Sequence, residues 1–147
     1  DDVSRIRDWW GGKFIIKGIL EPEDAVKALD VGADAIIVSN HGGRQLDQTS
    51  STISMLPKIV EAVKGKSAIW LDGGIRSGQD ILKAVALGAE NTLIGRAMSY
   101  GLGANGLNGC EKALNIIHTE LDMTMALCGH KNLKNVDDSI LKIKSDF

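Results

Sequence analysis

Pro22-Glu23-Asp24-Ala25-Val26-Lys27-Ala28-Leu29-Asp30-Val31-Gly32-Ala33-Asp34 and Gly78-Gln79-Asp80-Ile81-Leu82-Lys83-Ala84-Val85-Ala86-Leu87-Gly88-Ala89-Glu90 are two copies of one unit. Asp, Lys, Ala, Gly and Ala recur at a constant offset of 56, and each copy runs into a short apolar stretch, Ala35–Val38 and Thr92–Ile94. Self-similarity of this kind marks a repeated supersecondary unit. Within each copy the pattern predicts a helix feeding a strand. Pro22 suits a first helical position, where its missing N–H costs nothing. Ser77 with Asp80 three residues on resembles a capping box. Ala25, Val26 and Leu29, then Ile81, Leu82 and Val85, give helical apolar faces. Gly32 and Gly88 stand where helices end in the left-handed conformation. The following strands are continuously apolar, as expected when both faces of a sheet are covered.

Outward from the repeat, Phe14–Lys17 and Ala68–Leu71 read as two more strands. A helix from about Thr52 to Lys64 joins the second strand to the third, and a long helix runs from about Asn105 to Leu127. Strict alternation of strand and helix predicts a parallel sheet with right-handed crossovers. Lys17, Ser39–Arg44, Asp72–Arg76 and Gly95-Arg96 all fall at or just after strand C-termini, where barrels and open α/β sheets build their sites. Eight βα units take about 250 residues, and this chain holds four. Its 147 residues, 44% apolar, are enough for one domain with a core and exclude a disordered tail or a disulfide scaffold. A net charge of −2 without a basic cluster argues against nucleic acid as a partner. Cys110 and Cys128 read as buried thiols. Asp1–Trp10 reads as the tail of an amphipathic helix, so the sequence is expected to be a fragment or a processed chain. Trp9 and Trp10 are expected to cover packing between helix and barrel. Leu107, Cys110, Leu114, Ile117, Leu121 and Met125 are expected to form a buried stripe.

Three clusters carry chemistry. Gly95-Arg96 follows a strand and opens a helix, and Asp72-Gly73-Gly74-Ile75-Arg76 follows the preceding strand. Glycines let backbone N–H groups approach an anion, a helix start adds partial positive charge, and Arg adds a forked donor. The bland alternative is two tight turns with surface arginines. In Ser39-Asn40-His41-Gly42-Gly43-Arg44-Gln45, His41 has the chemistry to take a proton near neutral pH, and Arg44 to hold a carboxylate beside it. A polar loop with a turn at Gly42-Gly43 is the alternative there. Lys17 ends the apolar strand Phe14-Ile15-Ile16 and must point into a cavity or toward an anion. It reads as a charge beside an electron-accepting ring, as a Schiff-base amine, or as a lysine that merely reaches solvent.

Ile16-Lys17-Gly18-Ile19, Ser39-Asn40-His41-Gly42-Gly43-Arg44-Gln45-Leu46-Asp47, Asp72-Gly73-Gly74-Ile75-Arg76-Ser77-Gly78 and Leu93-Ile94-Gly95-Arg96 resemble, in order and over nearly the whole chain, the FMN-dependent α-hydroxy-acid dehydrogenase/oxidase family. Thr124-Met125-Ala126-Leu127 and Gly129 resemble its closing helix. The resemblance implies an α/β fold of the (β/α)8 TIM-barrel type, with residues 1–147 as the C-terminal half carrying strands 5 to 8. It implies an oxidoreductase that turns a small L-2-hydroxy acid into the 2-oxo acid with FMN as cofactor. Lys17 would stabilise reduced FMN and Ser39 would contact the flavin. Asp72, Gly73, Gly74, Ile75 and Arg76, with Gly95 and Arg96, would hold the ribityl phosphate. Arg44 would bind the substrate carboxylate, and His41 would take the proton. The family's N-terminal half supplies flavin-edge contacts, substrate-binding tyrosines and an aspartate that orients the histidine, so the chain by itself is expected to be inactive and to bind FMN weakly.

Two other readings remain open. One is a different FMN- or phosphate-binding barrel, of the type 2 isopentenyl-diphosphate isomerase or inosine-monophosphate dehydrogenase kind. The other is a half-barrel assembly module, whose exposed edges predict homo-oligomers or pairing with the missing half. Cytoplasm is the expected compartment, with peripheral contact to the inner membrane through other segments. Lys144-Ser145-Asp146-Phe147 is not a peroxisomal ending.

Overall fold

The structure is a computed structural model that describes residues 2–142; the Lys144–Phe147 ending lies outside them. The order of elements is α1 (Asp2–Trp10), β1 (Ile15–Ile19), α2 (Pro22–Asp30), β2 (Ala35–Val38), α3 (Thr52–Val63), β3 (Ala68–Asp72), α4 (Gly78–Ala86), β4 (Asn91–Leu93) and α5 (Arg96–Leu127). A 3-10 turn at His41–Gly43 follows β2, and two more, Leu133–Asn135 and Asp138–Ile140, follow α5. The described chain forms two compact units, residues 2–74 with 89–93, and residues 75–88 with 94–142.

The first unit is built on a four-stranded sheet in the order β1-β2-β3-β4, parallel at every pairing. Alternating strand and helix dictates this outcome, since a parallel partner can be reached only through a crossover. Only β2 is buried along its whole length; β3 alternates buried and half-buried, and β1 and β4 have no buried residue. The continuously apolar expectation therefore holds for the inner strand β2 alone. Ile36, Val38, Leu56, Ile59, Val63 and Leu71 are fully buried and make the core of this unit. Gly32 ends α2 at φ 76°, as its place in the repeat predicts.

In the second unit α4 packs on α5. Ser77 Oγ accepts from the Asp80 N–H at 3.2 Å, and the Asp80 carboxylate accepts from the Ser77 N–H at 3.0 Å, so the predicted capping box is formed. The Glu120 carboxylate accepts from the Gly78 N–H at 3.0 Å. Gly78 is fixed as glycine because a Cβ there would run into the α5 backbone at Glu120 and Leu121.

Helix α5 begins at Arg96 rather than near Asn105, and it breaks where the helix was expected to start. Asn105 (φ −155°) and Gly106 (φ 54°) are not helical. Gly101 and Gly109, on either side of the break, touch so closely that neither could carry a Cβ. The expected stripe is only partly buried. Cys110 and Ile117 are buried and Leu121 and Met125 half-buried, but Leu107 is 80% and Leu114 43% exposed. A nine-residue α4, about 14 Å long at 1.5 Å per residue, cannot cover the length of helix beyond the break. Cys128 is exposed, contrary to the buried reading; it lies just past the last helical turn. Trp9 and Trp10 are exposed as well. Arg5 stands 5.4 Å from the Trp9 ring centre, and Trp10 Nε1 donates to the Lys13 carbonyl at 2.8 Å.

Candidate active site

Register and pleat bring the site of the first unit together. Lys17 pairs with Ile37, and Ile37 pairs with Trp70. Ser39 and Asp72 lie two residues beyond Ile37 and Trp70, so the alternation of side chains places all three polar groups on one face. Their geometry follows. Lys17 Nζ is 2.6 Å from Asp72 Oδ2 and donates to Ser39 Oγ at 3.1 Å. Ser39 Oγ donates to Asp72 Oδ2 at 2.7 Å and accepts from the His41 N–H at 3.1 Å. Of the two readings of the strand-end lysine, a cavity or an anion, the structure shows an anion, the chain's own Asp72. Burial works against charge on Asp72, but the Lys17 ammonium and the Ser39 hydroxyl outweigh it and hold the carboxyl below the ordinary carboxylate range. Ser39 is 1% exposed.

His41 sits at φ 55°, in the left-handed region that non-glycine residues seldom occupy. Its ring is exposed and lies against Gly18, where a Cβ would come 2.7 Å from Cε1. Among the described residues no side chain hydrogen-bonds this ring. Arg44 is exposed at the end of the same turn, three residues on.

Two residues outside the predicted set shape this rim. Asn40 Oδ1 accepts from the Gly42 N–H at 3.1 Å and closes the turn that carries His41. Thr52 is buried, and its Oγ1 donates to the Gly73 carbonyl at 3.2 Å. Asn40-His41-Gly42 is a legible Asx-turn signature. Nothing local marks Thr52, which lies 21 residues from its acceptor.

Each unit by itself carries donors with the chemistry to take a phosphate such as that of FMN. Gly73 (φ 100°) and Gly74 (φ 85°) turn the chain off β3, and the space where a Gly74 Cβ would stand is open. In the second unit Gly95 is likewise open and precedes α5, whose start has no side-chain cap. An uncapped helix start with an adjacent arginine, Arg96, suits an anion. The start of α4 is different. Its own Asp80 carboxylate takes the N–H groups of Arg76 and Ser77, each at 3.0 Å. Ile75 is buried, and the Arg76 side chain is exposed.

Comparison with known proteins gives the family. The profile of the FMN-dependent dehydrogenase family matches residues 1–143. An L-lactate dehydrogenase of Pseudomonas syringae pv. syringae (strain B728a) is 50% identical over 140 residues, which is 95% of this chain and 37% of that protein. An L-lactate dehydrogenase of Pectobacterium atrosepticum is 48% identical over 143 residues, 97% of this chain and 37% of that one. The structure superposes on mandelate oxidase with benzoyl-formic acid at a TM-score of 0.87 and 45% identity, covering 90% of this chain and 39% of the other. A mandelate oxidase variant with a monooxide FMN adduct gives the same score and identity, with 42% of that chain covered. The chain thus spans well under half the length of the relatives it matches, and within that span it belongs to the FMN-dependent dehydrogenase family.

Proposed function

We propose that the whole protein oxidises a small L-2-hydroxy acid, of the lactate or glycolate type, to the 2-oxo acid, and that this chain is the C-terminal half of its (β/α)8 barrel. The observation that carries the reading is the connected set at the strand ends, in which Lys17, Asp72 and Ser39 are hydrogen-bonded and Ser39 is bonded in turn to the backbone of His41. The L-lactate dehydrogenases and mandelate oxidase among the relatives support the substrate class. FMN, when bound, supplies the acceptor for the two electrons that leave the substrate.

The chain's own residues do the rest. The Arg44 guanidinium meets the substrate carboxylate with two parallel donors, a geometry an ammonium cannot reproduce. His41 takes the hydroxyl proton if the α-hydrogen leaves as hydride, or the α-proton if a carbanion forms. Lys17 and Ser39 would line the isoalloxazine end of the cofactor, Lys17 through its positive charge and Ser39 by packing alone, since its hydroxyl is engaged by Lys17, Asp72 and the His41 N–H. Asp72 keeps that ammonium in place. Gly73 and Gly74 in the first unit, and Ile75, Arg76, Gly95 and Arg96 in the second, are the residues that would serve the phosphate end, the glycines through backbone N–H groups and the arginines through their forks.

The test is spectroscopic. Anaerobic L-lactate or glycolate should bleach the flavin absorbance of the purified full-length protein. A flavin spectrum that both acids leave untouched would remove this reading in favour of another FMN barrel.

A further inference from the structure

Reading His41 as the base leaves open what holds it there, because the segment that carries it has little of its own to hold it. No residue from His41 to Ser51 is buried, and the His41 backbone stands in a conformation that L side chains disfavour. We infer that Ser39 and Gly18 are positioning residues that clamp His41, Ser39 fixing its backbone and Gly18 serving as the shelf for its imidazole; the functional meaning of the clamp rests on the reading above.

The Ser39 hydroxyl has one proton to give and two lone pairs to offer, and all three are used. It gives to Asp72 and receives from Lys17 and from the His41 N–H. At 1% exposure water cannot replace any of these bonds. The left-handed turn is therefore tied to the Lys17–Asp72 ion pair rather than to solvent. Gly18 works from the neighbouring strand. The β1–β2 register slips between Lys17 and Ile19, so Gly18 sits in a bulge at φ 103°. Bulges of this kind re-aim side chains beside active sites. Its bare Cα comes so close beneath the ring that a Cβ would stand 2.7 Å from Cε1. At φ 103° an alanine is strained as well as crowded, so a methyl there both displaces the exposed imidazole and disturbs the β1 backbone around residue 18.

The inference is tested by NMR on the full-length protein, with Ser39→Ala and Gly18→Ala compared with the parent. In the parent, an NOE between His41 Hε1 and the Gly18 Hα protons is expected, and the His41 amide should be protected from exchange. Ser39→Ala should speed exchange of the His41 amide about tenfold, the factor carried by one ordinary hydrogen bond, and weaken the NOE. Gly18→Ala should shift the imidazole 15N signals and leave the His41 amide protected. In both variants the amides of Ile36 and Leu71 should keep the parent's protection. Absence of the NOE in the parent overturns the inference, as do unchanged His41 signals in both variants. If Ser39→Ala does not fold, the parent decides: the NOE with a protected His41 amide supports the inference, and the absence of either overturns it. Failure of the base assignment is a separate result, seen as undiminished turnover after His41→Ala with the NMR signature intact.

Discussion

At the scale of the residue, the Lys17–Asp72 pair is the feature with the clearest thermodynamic signature. A carboxyl held below its ordinary range contributes stability that is fully present above that range and is lost as pH falls through its folded value. Asp72→Asn removes that contribution and leaves Lys17 without a counter-charge. The variant should therefore unfold at lower urea than the parent at neutral pH. The gap should close as pH falls through and below the carboxylate range; a gap independent of pH across an acid series would contradict the pairing. The sequence made one half of this pair legible, since a lysine ending Phe14-Ile15-Ile16 reads as pointing into a cavity or toward an anion. The other half was hidden, because Asp72 becomes its neighbour only through the register of three strands. Asp72 therefore read as part of a phosphate turn, whereas its side chain is turned to Lys17 and Ser39.

At the scale of the element, the repeat gave reliable guidance because caps and glycine stops are local. The Ser77–Asp80 box forms as its spacing requires. Ser77→Ala should cost about 1 kcal/mol, readable as a lower urea midpoint with an unchanged slope. No loss would mean that the Glu120 contact to Gly78 alone carries the helix start. Helix α5 was less legible. Its apolar residues recur at helical spacing on more than one face, and periodicity does not say which face a short α4 will reach. Cys110 and Ile117 are covered, whereas Leu107 and Leu114 are not. The break at Asn105-Gly106 coincides with the close Gly101–Gly109 approach, and the Asn-Gly pair is itself a local turn signal that the helical periodicity on either side masked. Strand boundaries moved by one or two residues, as frayed ends do. β1 runs on to Ile19 through its bulge, and β4 ends at Leu93 rather than Ile94.

At the scale of the whole molecule, the chain spans 37% of the length of L-lactate dehydrogenases to which it is similar. Among the described residues no helix is long and apolar enough to cross a membrane. The proposed cofactor site draws on donors that this chain supplies, and the proposed barrel includes strands that it does not contain. FMN titrated into the chain alone should therefore show weak quenching and be lost on gel filtration, with no turnover of hydroxy acid. Stoichiometric retention with full activity would show that four βα units suffice.

The central claim is that His41 is the group that takes the substrate's proton. Its most direct test is the anaerobic rate of flavin bleaching by L-lactate in the full-length protein, parent against His41→Ala, with FMN content matched. A positioned base contributes roughly 10²–10⁴ in rate, and a loss of that size with FMN retained is the predicted result. A His41→Ala protein that bleaches at close to the parent's rate would contradict it.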